Sequence, residues 1–293
     1  MNRKEWLLLV ILSVLWGGSF FFIKVAVQDL PPLTIVWGRV GVAAIVLTLF
    51  VYWMGQKLPT SPKLWVSLTT MGVLSNLIPF SLIVWGETQI SSGLASILNA
   101  TTPIFTVILA HFLTAERLTR NRLLGIVFGF GGVIVLFGSH LSQGLHLPQL
   151  GQLAVLGAAF AYGLSGLYGR RFDGLPAAVT AAGMLICTTI VTSPLVLLFD
   201  QPWTLRPRLT TWAALLALGL LSTAIAYLIY FHLLSIVGAT NVSLVTFLIP
   251  ISALFLGVLV LHEQLTWNAL VGMGLIFVGL AVINGGLFQK RDG

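Results

Sequence analysis

The sequence predicts an all-α membrane protein, with ten transmembrane helices built as two inverted five-helix repeats around a central cavity. Three observations carry that prediction. Hydrophobic residues make up 57% of the 293-residue chain and charged residues only 8%, where a soluble domain carries about 25% charged. So much apolar surface needs lipid as its solvent. The apolar residues fall into ten runs, most of them near the ~20 residues that cross a bilayer as a helix. The second half of the chain also repeats the first, at offsets of 147 and 146.

The first run, 6–27, follows a basic start and continues through WGGSFFFI with no small-residue cleavage site. It therefore reads as a retained helix rather than a removed signal peptide. QDLPP closes it, and the second run spans 33–54. GQKLPTSPK leads into the third, 64–86, and the fourth is 93–113. ERLTRN separates the fourth from the fifth, 121–138. After a longer break at 139–148 come the sixth run, 149–169, RRFDGLP, and the seventh, 176–199. A second long break, 200–209, precedes the eighth, ninth and tenth runs at 210–234, 239–261 and 267–288. The breaks hold the Pro, Gly and charged residues that end helices. No segment reads as a soluble domain, and the lone Cys187 lies inside an apolar run, without the partners of a disulfide or a Cys-rich metal site.

The repeat is clearest in two phrases, AERLTRNRLLG at 115–125 and HEQLTWNALVG at 262–272. An offset of 147 relates Glu116 to Glu263, Pro103 to Pro250, Trp65 to Trp212, Gly72 to Gly219, Ser75 to Ser222 and Ser96 to Ser243. An offset of 146 relates Gly17 to Gly163, Ser19 to Ser165 and Lys24 to Arg170. Shared Trp, Pro, Glu and Ser at one register mark a duplication, with repeats at 1–140 and 149–290. Five spans is an odd number, so the second copy enters the membrane from the other side.

Charge fits this inversion. With the N-terminus in the cytoplasm, the inner segments hold Arg3, Lys4, Lys57, Lys63, Arg117, Arg120, Arg122, Arg170, Arg171, Lys290 and Arg291. The outer loops hold Arg206 and Arg208. That is a positive-inside bias, and it accounts for the net charge of +7 better than a nucleic-acid surface does. The arginines Arg117, Arg120 and Arg122 become Gln264, Trp267 and Ala269 because the second phrase lies outside.

With WGGSFFFIK at 16–24, DLPPLTIVWGR at 29–39, NATTPIF at 99–105, ERLTRNRLLGIVFGFGGVIVL at 116–136 and VSLVTFLIPISALFLGVLVLHEQLT at 242–266, the chain resembles the drug/metabolite transporter superfamily, in particular its EamA-type ten-helix exporters. The likeness covers essentially the whole chain. It implies a carrier of a bacterial-type inner membrane that exports small metabolites by alternating access, with amino acids, aromatic ones included, as the best single expectation. Drugs and other metabolites are alternatives within the same fold.

Several spans gather polar or aromatic groups at spacings of three, four and seven, which share one helix face. These are Trp16 and Ser19; Asn76 and Pro79; Asn99, Thr102, Pro103 and Thr106; Tyr162 and Ser165; Thr223, Tyr227 and Tyr230; and Ser243, Thr246 and Pro250. They read either as a substrate pocket or as the packing that Ser and Thr provide between membrane helices. Pro103 and Pro250 lie inside spans, as paired kinks or as tolerated prolines. Lys24 and Arg39 are the basic residues within spans, able to meet a substrate carboxylate or to pair with Asp29 or Glu87. Glu116 and Glu263 suit backbone donors at helix starts. His111 and His232 lie near the cytoplasmic ends of their spans. The glycines of GIVFGFGG and VGMGLIFVG form close-packing faces for an outer scaffold or a homodimer.

No carboxylate sits in the middle third of a span, which disfavours the proton exchange that small multidrug antiporters use and leaves facilitated export, or coupling through His or Lys, open. HExxH, GxSxG and paired carboxylates are absent from the sequence, so neither an enzyme, a cofactor nor a metal is expected. The expected partners are a small-molecule substrate and the bilayer, not nucleic acid.

Overall fold

The structure, a computed structural model, describes residues 1–138 and 146–285. Regular structure among these residues is helical throughout. The helices are α1 Arg3–Ala26, α2 Pro32–Trp53, α3 Pro62–Glu87, α4 Ser92–Leu113, α5 Arg120–Phe137, α6 Leu147–Phe172, α7 Ala177–Asp200, α8 Leu209–Gly238, α9 Val245–Leu259 and α10 Trp267–Ile283. Each lies within a few residues of a predicted span. The expected end of the tenth span at 286–288, most of the 139–148 break, Lys290 and Arg291 fall outside the described residues.

Local sequence sets the helix ends. Asn2 and Glu5 form a reciprocal capping box at the start of α1. The shared Thr of the two repeated phrases has one job in both places. Thr119 accepts from the Arg122 N–H at the start of α5, and Thr266 accepts from the Ala269 N–H at the start of α10. Between α8 and α9 the chain turns at Gly238, whose φ of 76° suits a residue without Cβ. A short helical stretch to Val242 then leads into α9. Leu49, Leu198 and Phe255 point outward, exposed to the lipid that their chemistry requires. Trp53, Trp203, Trp212 and Trp267 are exposed near helix ends, where indole rings sit at membrane–water interfaces.

Packing follows the duplication. A Cβ on Gly17 of α1 would lie 2.6 Å from Ser252 of α9, and one on its equivalent Gly163 of α6 would lie 3.0 Å from the Thr106 backbone of α4. Gly72 of α3 meets Thr188 of α7, and its equivalent Gly219 of α8 meets Val42 of α2. The expected glycine faces of the fifth and tenth spans pack on each other: Gly125 abuts the Gly279 carbonyl and Gly132 the Gly272 carbonyl. These pairings, α1 with α9, α6 with α4, α3 with α7, α8 with α2 and α5 with α10, are those of an inverted repeat.

One expectation is corrected. Pro103 does not kink a continuous helix. The fourth span breaks at Ala100–Thr101, and Pro103 occupies the first turn of the segment Thr102–Leu113, where its missing N–H has no intrahelical role. Pro250 does lie within α9. The matched prolines therefore do not make matched kinks.

Candidate functional site

Both repeats loosen their third helix at the same register. α3 contains a π-helical turn at Val73–Leu77 and α8 one at Leu220–Ile225, starting 147 residues apart. Such a turn inserts a residue into the helix, re-aims the side chains around it and recurs at functional sites. Here it carries Asn76 in one repeat and its equivalent Thr223 in the other, both 0% exposed.

Around these two residues the helices assemble a buried polar and aromatic constellation. Arg39 of α2 is 5% exposed, and its Nε donates to Thr223 Oγ1 at 2.9 Å. Its Cζ lies 3.8 Å from the centroid of the Phe80 ring. A desolvated cation over a ring face gains about 2 kcal/mol. Phe80 in turn meets Tyr162 edge-on, with centroids 6.5 Å apart. On the other side, Tyr227 donates to Asn76 Oδ1 at 3.2 Å, and Asn76 Nδ2 donates to Thr188 Oγ1 at 3.4 Å. Tyr227 packs on Phe231, Phe231 on Tyr230, and Tyr230 on Trp16. Members recur at the repeat offsets: Trp16 with Tyr162, Asn76 with Thr223, Phe80 with Tyr227.

The structure thus joins Arg39, Thr223 and Tyr162 in one contact network, through Phe80, and Asn76, Tyr227, Tyr230 and Trp16 in a second, through Phe231. Pro79 precedes Phe80 in the same buried turn. Other predicted residues spend their hydroxyls on their own helices. Ser19 donates to the Trp16 carbonyl, Ser165 to Tyr162, Thr102 to Asn99 and Thr106 to Thr102. Asn99 ends the first segment of the fourth span with its Oδ1 buried and, among the described residues, unpartnered. Ser243 and Thr246 lie at the start of the ninth span, where Pro250 is buried. Phe80, Thr188 and Phe231 complete the constellation and were not singled out from sequence. The offset of 147 that relates Tyr227 to Phe80 is the signal that could have found the latter.

The charged residues resolve differently from their expected pairings. Lys24 Nζ donates to the backbone carbonyls of Glu87 and Ile90, each at 2.7 Å, not to a carboxylate. Glu87 is 0% exposed, and among the described residues neither of its carboxyl oxygens has a hydrogen-bond partner. Asp29 binds Arg208 and Thr211 instead of either span cation. Those hydrogen bonds, Arg208 first and then Thr211, hold its carboxyl down to about 2. Glu263 meets the expectation of a helix-start acceptor, taking the N–H groups of Ser92 and Gly93 and the Ser92 hydroxyl. Glu116 does not: its carboxylate binds Arg170 at 2.9 Å and Arg122 at 3.3 Å. His111 Nδ1 lies 3.1 Å from the Glu116 carbonyl, and His232 is exposed.

A sequence model of the EamA-like transporter family matches residues 4–138 and again 149–285. The transporter YoaV of Bacillus subtilis is 28% identical over 98% of this chain and 99% of its own. A protein of Escherichia coli K12 named "Probable amino-acid metabolite efflux pump" is 28% identical over 99% of this chain and 98% of its own. A crystal structure superposes with a TM-score of 0.69 over 96% of each chain at 20% identity, a likeness of fold.

Proposed function

The chain belongs to the EamA-like transporter family, and from that premise we propose that this secondary transporter exports amino acids, aromatic ones among them, by alternating access at the site between its repeats. Arg39 carries the proposal. A buried guanidinium has five donors, and among the described residues its hydrogen bond is the single one from Nε to Thr223. A buried cation is costly without a counter-charge, and a planar carboxylate fits the remaining face of the fork. Trp16, Tyr162, Tyr227 and Tyr230 offer rings for an apolar side chain, and Asn76 offers an amide for a polar one. Two relatives named for amino-acid metabolite efflux, at 28% and 29% identity, support the same cargo.

The basic face, with both chain ends, is cytoplasmic in this reading, because the opposite loops hold only Arg206 and Arg208. The membrane is the inner membrane of a bacterial-type cell.

Proteoliposomes loaded with labelled phenylalanine test the cargo, with phenethylamine, its analogue without a carboxylate, as the comparison. Saturable phenylalanine flux is expected, with little for the amine. Arg39→Gln should lower phenylalanine flux by roughly 10- to 100-fold, the worth of a charge-assisted hydrogen bond of about 1.5–3 kcal/mol. Equal flux of the amine would replace this cargo with the multidrug reading. Full activity in Arg39→Gln would remove Arg39 from the site.

A further inference from the structure

The same four structural parts occur at both faces of the protein, and they are wired differently. On the face opposite the basic one, the turn between α3 and α4 is held at both ends. Lys24 donates to the carbonyls of Glu87, the last residue of α3, and of Ile90 in the turn that follows. Glu263 accepts from the N–H groups of Ser92 and Gly93, which open α4. A cation on the carbonyl end of one helix and an anion on the N–H end of the next both match the helix dipoles. Contact is close here: a Cβ on Gly257 would lie 2.7 Å from Glu263 Oε2, and one on Gly93 2.6 Å from Leu254.

The basic face has the equivalent turn, between α8 and α9. The offset of 147 carries Glu87, Ile90, Ser92 and Gly93 to positions 234, 237, 239 and 240, and Ser91 to Gly238. It also carries Glu263 back to Glu116, and an offset of 146 carries Lys24 to Arg170. Here the cation and the anion bind each other instead: Arg170 Nη2 donates to Glu116 Oε1 at 2.9 Å, with both side chains partly exposed.

Two further carboxylates fasten the face opposite the basic one, and their repeat equivalents, Pro176 for Asp29 and Trp53 for Asp200, are not carboxylates. Asp200 of the second repeat accepts from the Thr34 N–H and hydroxyl at the start of α2. Asp29 of the first accepts from the Arg208 N–H and the Thr211 hydroxyl at the start of α8. Both cross between repeats, and both lie on the face where Lys24 and Glu263 are engaged.

We infer that Lys24 with Glu263, and Arg170 with Glu116, are two equivalent clasps that close opposite faces in alternation. A clasp is shut when its cation holds the carbonyls and its anion the N–H groups of the adjoining turn. It is open when the two charges bind each other. The structure has the Lys24–Glu263 clasp shut and the Arg170–Glu116 clasp open. In the opposite state, Lys24 binds Glu263, while Arg170 and Glu116 seize the turn around Gly238. The inference rests on the alternating-access part of the transport reading and not on the cargo.

Exchanging charges within a clasp tests it. Lys24→Glu with Glu263→Lys keeps the attraction of the open pair but places a carboxylate against carbonyls and an ammonium against N–H groups, so it should hold that face open. Arg170→Glu with Glu116→Arg should do the same at the basic face. In a Cys187→Ala background, spin labels at Thr88 and Gln264 read one face, and labels at Arg117 and Ser235 read the other. Neither needs a substrate, so a wrong cargo leaves the measurement intact.

The first exchange is expected to lengthen the Thr88–Gln264 distance and shorten Arg117–Ser235. The second is expected to do the reverse, each shifting the open-to-closed ratio roughly tenfold or more. A milder variant guards against misfolding. Ser92 is the first residue of its helix, where proline is tolerated, so Ser92→Pro removes two of the three donors to Glu263, the N–H and the hydroxyl, and should raise the open population of that face alone. Exchanges that shift both faces the same way, or wild-type distances in Ser92→Pro and both exchanges, would overturn the inference.

Discussion

Asp29 shows how much one loop carboxylate can organise. It gathers the backbone N–H and guanidinium of Arg208 and the hydroxyl of Thr211, so the start of α8 is fixed to the end of α1. A carboxyl whose value falls on folding contributes stability above its unfolded value and loses that contribution as pH falls through the folded one. For Asp29 the window runs from 3.8 down to about 2. Thermal melts in detergent should place Asp29→Asn below the wild type at neutral pH, with the gap narrowing only below about pH 4. A gap that closes already between pH 7 and 5 would point to another group. At this scale the sequence was partly legible. Arg39 stood out because a cation inside an apolar run needs a reason. Its partner Thr223 stood on a predicted polar face and Phe80 did not, and neither contact could be read, because helical spacing defines a face and not the rotation that aims it at a neighbour. Glu116 and Glu263 are the same residue in the same phrase with different contacts, and sequence identity cannot encode which state a molecule occupies.

Elements were more legible than contacts. The ten apolar runs became ten helices, and the Thr of each LT-x-N phrase became a helix cap at both sites. The prolines misled, since Pro103 and Pro250 share a register yet one begins a helical segment and the other lies within one. Glycine spacing at 125–132 and 271–279 marked close-packing faces but did not say that they face each other. In the structure the Gly279 carbonyl lies against Gly125, and a Cβ on Gly279 would meet the Gly125 carbonyl at 2.5 Å. Backbone cannot yield there as a side-chain tip could. Gly279→Leu should therefore separate α5 from α10 and cost about 1–3 kcal/mol or more. A lowered melting temperature measures this, whereas Gly274→Leu, at a glycine with open space around it, should leave the melt unchanged.

Across the whole molecule, inversion is the property from which the rest follows. It puts the phrases at 115–125 and 262–272 on opposite sides of the bilayer, and it explains why only one kept its arginines. Impermeant maleimide added to intact cells should label a cysteine at Leu265 and spare one at Leu118, with the pattern reversed in inside-out vesicles. Labelling of both from one side would undo the inversion and the alternating clasps together. The duplication also puts a π-helical turn at one register in α3 and α8, with Asn76 buried on the first and Thr223 on the second.

The glycine-lined partners α5 and α10 are 18 and 17 residues long, while α1 has 24 and α3 has 26. At 1.5 Å per residue they reach about 27 and 26 Å, short of a hydrocarbon layer of about 30 Å. A span shorter than the hydrocarbon layer is met by thinning of the lipid, by snorkelling of flanking side chains or by association with another helix. A short flank of this kind makes the acyl-chain length of the host membrane a force acting on the protein at that flank.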